Sequence, residues 1–132
     1  MRVGWSTWSF EIGEEWSITD DPECLTLELS DQGALQASSA RKQSGLVVEE
    51  DLFFSIEERK TWGSWQPASC GEFEGITYEY TEGESIWRRW FLRWGQTLLF
   101  ITYNGSSTAA EQERFAVDQV LSTARAETSG EA

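Results

Sequence analysis

The sequence predicts an α+β fold: a twisted antiparallel sheet of about six to seven strands with helices packed on its faces, an α/β/α sandwich. Three observations support this prediction. Apolar and polar residues alternate along most of the chain, which is typical of half-buried strands. Two segments instead repeat apolar residues at helical spacing. Short turns containing glycine separate the strands and favour antiparallel hairpins.

The first forty residues read as short strands. Alternation over residues 8–19 ends at Asp20-Asp21-Pro22, because proline has no place in a central strand. Residues 24–41 are predicted as a β-hairpin turned at Asp31-Gln32-Gly33. The small side chains of residues 34–40 favour a helix packed closely over the returning strand.

Residues 47–60 are predicted as the first helix. Val48, Leu52 and Ile56 recur at four-residue spacing, with acidic residues in the first turn and basic residues in the last. Residues 61–71, which contain glycine and proline, are predicted as a loop.

The second half predicts further strands and a last helix. Gly75 is interpreted as a bulge before residues 76–80. Residues 85–94 and 96–103 form a hairpin at the centre of the sheet, because residues 98–101 are apolar on both faces. Thr108 to Glu111 has capping-box spacing and begins a helix that continues to about residue 126. We predict one domain over residues 1–132, with an ordered core at about 5–126 and a frayed tail at 127–132.

The charge balance bears on the partner. The 132 residues include 23 Asp and Glu against 10 Lys and Arg, which gives a formal charge of −13. This charge opposes binding to nucleic acid or an anionic membrane and attracts a basic protein. No Lys or Arg occurs from Val3 to Ala40, so this acidic segment serves either to steer a basic partner or to keep the protein soluble.

Eight tryptophans and the absence of histidine favour recognition over catalysis. Without histidine, a nucleophilic serine would need Lys42 or Lys60 as its base, and both have solvent-like neighbours. Asp20, Asp21 and Glu23 fit no calcium loop and read as an acidic turn. We therefore expect no catalytic residues, cofactor or metal.

The cysteines and the first residues bear on localisation. Cys24 and Cys70 could pair once, but two reduced thiols in a cytoplasmic protein is the interpretation we favour. The chain begins without the apolar run of a signal peptide. We therefore expect a cytoplasmic location.

Three segments resemble a known superfamily: residues 33–42 (GALQASSARK), Val48-Glu49-Glu50-Asp51-Leu52, and residues 87–103 from Trp87-Arg88-Arg89 to Ile101-Thr102-Tyr103. They are similar to those of small bacterial members of the PsbP-like superfamily of α/β/α sandwiches. That superfamily also includes the Ran-binding Mog protein, bacterial periplasmic lipoproteins and type VI secretion effector chaperones. The resemblance spans about residues 5–126 and implies the fold, but no functional residue carries over.

Two further groups allow alternative interpretations. Glu72, Glu74 and Glu79, close in sequence to Trp62, Trp65 and Tyr78, could form a carbohydrate-active site or an exposed acidic strand. Arg88, Arg89 and Arg93 alternate with tryptophans, as in proteins that bind single strands of nucleic acid. Alternatively, these arginines stack on the rings and pair with Glu79, Glu82 or Glu84.

The leading hypothesis is a non-enzymatic protein-binding domain, for example a bacterial immunity or inhibitor protein that masks a basic toxin or effector. Its partner surface would combine aromatic anchors with acidic residues: Phe54, Trp62, Trp65, Phe115, Glu14, Glu15, Asp20 and Asp21. The alternatives are a secretion-effector or assembly chaperone of the same fold, and a carboxylate-dependent carbohydrate-active protein. The chain is expected to be a monomer or a homodimer.

Overall fold

The computed structural model describes residues 1–54, 56 and 64–127. These residues contain ten strands and two helices. In chain order the elements are β1 Arg2–Trp5, β2 Trp8–Glu11, β3 Ser17–Asp20, β4 Leu25–Ser30, β5 Gly33–Arg41, α1 Glu49–Phe54, β6 Gln66–Cys70, β7 Phe73–Glu82, β8 Ser85–Trp94, β9 Thr97–Ser106, α2 Ser107–Leu121 and β10 Arg125–Ala126.

Seven strands form one antiparallel sheet in the order β3-β4-β5-β9-β8-β7-β6. The predicted sheet is thereby confirmed, and β9 occupies its centre as the apolar run over residues 98–101 indicated. The turns that join β7 to β8 and β8 to β9 place Gly83 and Gly95 at φ values of 62° and 59°, which glycine adopts without strain. A second sheet, β1-β2-β10, was not predicted.

One face of the large sheet is covered by α2 and the small sheet. Trp8 and Phe10 of β2 and Val117 of α2 pack with Leu99 and Ile101 of β9, and each of these side chains is at most 1% exposed. Burial of each such side chain contributes about 1.5 to 3 kcal/mol, so this cluster accounts for much of the stability.

The described residues cover the opposite face only in part. Val47 and Leu52, from α1 and the segment before it, pack with Trp65, Ile76 and Phe91 in a second buried cluster. Ile76 and Phe91 lie near the start of β7 and the end of β8, so this cluster packs on one end of the β7–β8 hairpin.

The predicted loop at 61–71 is corrected by the structure, which has strand β6 at the edge of the sheet. Proline is tolerated in an edge strand where its missing N–H faces away from the neighbouring strand. Pro67 lies opposite Ile76, between Ala68 and Gln66. The glycine and proline residues of this segment express only a local preference for turns, and pairing with β7 overrides that preference.

The first helix begins two residues after the predicted start at residue 47. The helix begins at Glu49 and ends at Phe54, and Ile56 is buried but no longer helical. The amide of Ile56 bonds to the carbonyl of Phe53, three residues back, as in the tight last turn of a helix. The predicted continuation over 57–60 lies outside the described residues.

Three further predictions are corrected. Gly75 is no bulge, because β7 pairs with β8 in unbroken register; a Cβ there would lie 2.1 Å from the carbonyl oxygen of Phe91. The second helix is capped by Ser106 rather than Thr108. It ends at Leu121 rather than about residue 126, because residues 125–126 leave it to pair with β2.

Candidate binding face

The uncovered part of the large sheet presents a continuous set of side chains from four strands. Residues opposite each other in antiparallel register share a face, and here Tyr78 faces Arg89, Arg89 faces Thr102, and Thr102 faces Gln36. We call this surface the open face. Its members are Tyr78, Tyr80, Trp87, Arg89, Thr102, Asn104, Gln36 and Ser38.

Aromatic rings form a row across the open face. Tyr80 is parallel to Trp87 within 3°, with centroids 6.2 Å apart, and it stacks on Tyr78 at 5.4 Å. Tyr78 in turn contacts Trp65 at 5.5 Å. We call Tyr78, Tyr80 and Trp87 the aromatic row; all three are half-buried, whereas Trp65 is only 7% exposed. The row therefore extends the second buried cluster towards solvent.

Arg89 is the cationic group of the open face. Its guanidinium carbon lies 5.3 Å from the ring centroid of Phe91, a cation–π distance. Among the described residues, the other half-buried arginines have bonding partners: Arg2 donates to the Thr123 carbonyl, and Arg88 and Arg93 form ion pairs. Arg89 is half-buried and makes no hydrogen bond or ion pair with any residue of the described part of the chain.

On the opposite side of β7 and β8, which faces α2, the arginines form ion pairs. Arg88 lies 2.6 Å from Asp118 and 3.8 Å from Glu79, and its guanidinium stacks on Trp90 at 4.6 Å. Arg114 lies 2.7 Å from the same Glu79. These pairs connect β7 and β8 to α2. Arg88 therefore fits the interpretation in which the arginines stack on rings and pair with Glu79, whereas Arg93 pairs with Glu74 and Arg89 pairs with no described acid.

Of the predicted aromatic anchors, Trp65 and Phe115 do not lie on one surface. Trp65 belongs to the second buried cluster, whereas Phe115 is 76% exposed on α2, which covers the opposite face of the sheet. Phe54 is the last residue of α1, and its side chain is not among those described. Trp62 lies outside the described residues. A single patch containing both Phe115 and Trp65 is therefore excluded by the fold.

The predicted acidic residues lie at both ends of the edge strand β3. Glu14 and Glu15 belong to the turn before it, and Asp20 and Asp21 lie at its end. All four are exposed, and the Asp20 carboxylate accepts a hydrogen bond of 3.3 Å from the indole N–H of Trp5. The structure thus places these acids as two separate pairs at opposite ends of β3, and the aromatic row, on β7 and β8, lies several strands away.

The three carboxylates of the carbohydrate hypothesis do not converge. Glu74 and Glu79 lie on opposite faces of β7, where Glu74 pairs with Arg93 and Glu79 with Arg114. Glu72 accepts a hydrogen bond from the amide of Ala126. Within the described part of the chain, no group of three Cys, Asp or Glu residues could hold a metal ion.

The two cysteines are free and far apart. Cys24 directly precedes β4 and Cys70 ends β6, so five strand spacings of about 4.8 Å, about 24 Å in all, separate them. A disulfide between them is therefore impossible in this fold. Burial raises the pKa of the Cys70 thiol to about 11, which keeps it protonated and unreactive.

Sequence reasoning missed the aromatic row as a candidate site. The alternation of side chains along a strand places Trp87, Arg89 and Phe91 on one face of β8, as observed. The missing step was the register of the β7–β8 hairpin. The two-residue turn at Gly83-Glu84 fixes that register and sets Tyr80 opposite Trp87, so the signal was present in the sequence.

Comparison with known proteins identifies the fold. No family model and no curated protein matches the sequence. A crystal structure from Bacteroides thetaiotaomicron VPI-5482 is similar at a TM-score of 0.66 and 15% identity, covering 94% of this chain. The solution structure of cyanobacterial PsbP (CyanoP) from Synechocystis sp. PCC 6803 is similar at a TM-score of 0.51 and 9% identity. That match covers 96% of this chain and 91% of CyanoP.

The fold is therefore PsbP-like, as the sequence resemblance implied. This chain spans 46% of the Bacteroides chain, so it corresponds to about half of that protein. Among the described residues, no helix has the length and apolar character that spanning a membrane requires.

Proposed function

We propose that this chain is a non-enzymatic, acidic protein-binding domain and that its partner docks on the open face. The observation that carries the proposal is the aromatic row beside Arg89. Tyrosine, tryptophan and arginine are the residues most enriched among the energetic centres of protein interfaces. Here Tyr80, Trp87 and Arg89 are half-buried at neighbouring positions of β7 and β8. They lie on a sheet face that neither α1 nor α2 covers completely.

The arrangement of the rings favours a protein over a sugar. A sugar stacks on the free face of an aromatic ring, so a carbohydrate site needs rings whose faces are accessible. Tyr78 and Tyr80 are half-buried and each lies next to two aromatic neighbours, so neither ring stands free. The remaining surface is a half-buried mixture of ring edges, hydroxyl groups and amides, which suits a flat protein interface.

The charge of −13 gives the partner its expected sign. A basic protein would be attracted over long range by the acids around β3 and would then dock on the aromatic row. A toxin or effector that must be kept inactive in a bacterial cytoplasm is our concrete candidate. In this role the acidic charge speeds encounter and the aromatic contacts slow dissociation.

The proposal is tested by affinity capture from the source lysate with the wild-type chain, Trp87→Ala and Phe115→Ala. Phe115 is the matched control, because it is an exposed aromatic residue on the opposite side of the sheet. We expect Trp87→Ala to weaken retention at least about tenfold, as loss of a central interface aromatic does. Phe115→Ala should retain the partner, and added salt should reduce its recovery.

Two outcomes would contradict the proposal. One is a complex that Phe115→Ala abolishes and Trp87→Ala leaves intact, which would move the interface to α2. The other is the absence of any retained protein at low salt. Circular dichroism melting curves of both variants establish that a loss of binding is not a loss of folding.

A further inference from the structure

We propose that Arg89 is the anchor for a carboxylate that the partner protein presents to the open face. The inference rests on the proposed function in taking the occupant of this face to be a protein. Arg89 differs from Arg88 and Arg93 of the same strand, which both form ion pairs. Acidic residues outnumber basic ones by 23 to 10, yet this half-buried arginine has no acidic partner among the residues that the structure describes.

The position of Arg89 explains why none of the acids among residues 1–54 and 64–127 pairs with it. Its neighbours on the open face are Tyr78 on β7, Thr102 on β9, and Trp87 and Phe91 on its own strand. None of these side chains carries a negative charge. Glu79, which is adjacent to Tyr78 in sequence, points to the α2 side and pairs with Arg114 there.

Other hydrogen-bonding groups near Arg89 are also unused. The hydroxyl of Thr102 and the amide of Asn104 make no hydrogen bond within the protein among the described residues. A guanidinium offers a planar pair of N–H donors that matches the two oxygens of a carboxylate. Thr102, directly opposite Arg89, could donate a third hydrogen bond to the same group.

The site favours a carboxylate over a phosphate. A single arginine offsets one negative charge, and a doubly charged phosphate would be repelled more strongly by a protein of charge −13. The half-buried rings of Trp87 and Tyr78, next to Arg89 on the open face, suit an acid that lies between apolar residues of an extended segment. The occupant is therefore an Asp or Glu side chain with apolar neighbours, within a partner that is basic as a whole.

This division of roles is physically consistent. The net charge acts over long range and sets the rate of encounter, whereas one charge pair in a partly dehydrated surface fixes the register of docking. The stack on Phe91 holds the guanidinium in place before binding, so less side-chain entropy is lost on complex formation.

The test uses two peptides that differ in one group: acetyl-Leu-Glu-Leu-amide and its Gln twin. Each is titrated into the ¹⁵N-labelled full chain at low salt, and the amide shifts of β7, β8 and β9 are followed. We expect the Glu peptide to shift the amides around Arg89 and Thr102, with a dissociation constant on the order of millimolar. The Gln peptide should bind about tenfold more weakly, because it lacks the charge-assisted hydrogen bonds.

Variants then assign the effect to Arg89. Arg89→Gln should make the two peptides bind equally, and Arg89→Lys should keep part of the preference because it retains the charge but not the paired donors. The control is Arg125→Gln, which removes an exposed arginine from the small sheet and should change nothing. Acetate and inorganic phosphate are added as competitors, and phosphate should displace the Glu peptide no more readily than acetate does.

The inference is overturned if the two peptides bind equally to the wild-type chain, or if no shift is seen at about 20 mM peptide. It is also overturned if Arg89→Gln keeps the preference, or if phosphate displaces the peptide at lower concentration than acetate does. None of these results bears on Trp87→Ala in the capture experiment. The proposed function and the carboxylate site can therefore fail separately.

Discussion

At the scale of single residues, the most constrained group is a buried carboxylate rather than a tryptophan. Glu113 of α2 is 8% exposed, and its two oxygens accept hydrogen bonds from Tyr103 at 2.9 Å and Ser30 at 2.6 Å. Gly33 makes room for this group, because a Cβ there would lie 2.4 Å from the Tyr103 hydroxyl. The three side chains link α2, β4 and β9 through one satisfied polar contact.

We predict that Glu113→Gln lowers the free energy of unfolding by about 1 to 3 kcal/mol. The amide keeps the shape of the side chain but replaces one acceptor oxygen by an NH2 group, so one of the two hydroxyls must turn from donor to acceptor. Both hydrogen bonds to a charged carboxylate are also replaced by weaker neutral ones. Urea unfolding followed by tryptophan fluorescence measures the change.

The control for this prediction is Glu111→Gln on the same helix, which removes the same charge from an exposed position. It should change the stability by no more than about 0.5 kcal/mol. Equal effects of the two substitutions would show that the loss comes from net charge and not from the buried contact.

At the scale of elements, the start of α2 shows how a correct motif can be placed two residues late. Thr108 to Glu111 has capping-box spacing, but the cap is Ser106, whose hydroxyl accepts a hydrogen bond of 3.1 Å from the amide of Ala109. Ser106 also ends β9, so the last residue of the sheet serves as the first residue of the helix connection. Strand pairing with β8 extends to Ser106 and sets where the helix begins.

Substitution of the cap is expected to follow the structure and not the motif. Ser106→Ala should cost about 1 kcal/mol, because it leaves a helix N–H without its partner. Thr108→Ala should be neutral or slightly stabilising, since Thr108 is exposed within the helix and alanine has the higher helix propensity. Thermal melting of both variants decides between the two caps, and a larger loss for Thr108→Ala would contradict the assignment.

The strands were more predictable than the helices, for a physical reason. Alternation has a period of two residues, so even four residues carry the signal, and the hairpin turns at Gly83 and Gly95 set the register of β7 to β9. Helix α1 has only six residues, too few for a helical period to define its end. Residues 125–126 continue no pattern of their own and become β10 only because β2 is adjacent.

At the scale of the whole molecule, charge and fold act in opposite directions. A charge of −13 on 132 residues creates self-repulsion that disfavours the compact state. The described ion pairs involve few of the 23 acids: Glu11, Asp51, Glu74, Glu79 and Asp118. The acids around β3 keep their charges exposed, which weakens the fold while making the surface attractive to a basic protein.

Added salt should therefore stabilise the isolated chain. We predict that raising sodium chloride from about 20 mM to about 500 mM increases the melting temperature by several degrees at pH 7, because the Debye length falls below the spacing of surface charges. The control is the same titration near the isoelectric point of about 4.3, where the net charge is close to zero. A melting temperature that falls with salt at pH 7 would mean that ion pairs dominate over repulsion.

The PsbP-like fold was implied by the resemblance of three segments to that superfamily. The sequence by itself determined most strands of the large sheet, the presence of two helices and the acidic net charge. These follow from local periods, turn residues and composition, which need no knowledge of distant contacts. It also determined that Trp87 and Arg89 share a face of β8.

Only the tertiary structure decided which aromatic residues remain accessible. Trp65 and Trp87 belong to the same face of the large sheet, yet Trp65 is buried beneath the α1 segment and Trp87 lies beyond it. Phe115 is separated from both by the sheet itself. Burial depends on how far a helix reaches across a sheet, and that distance is set by packing between segments remote in sequence.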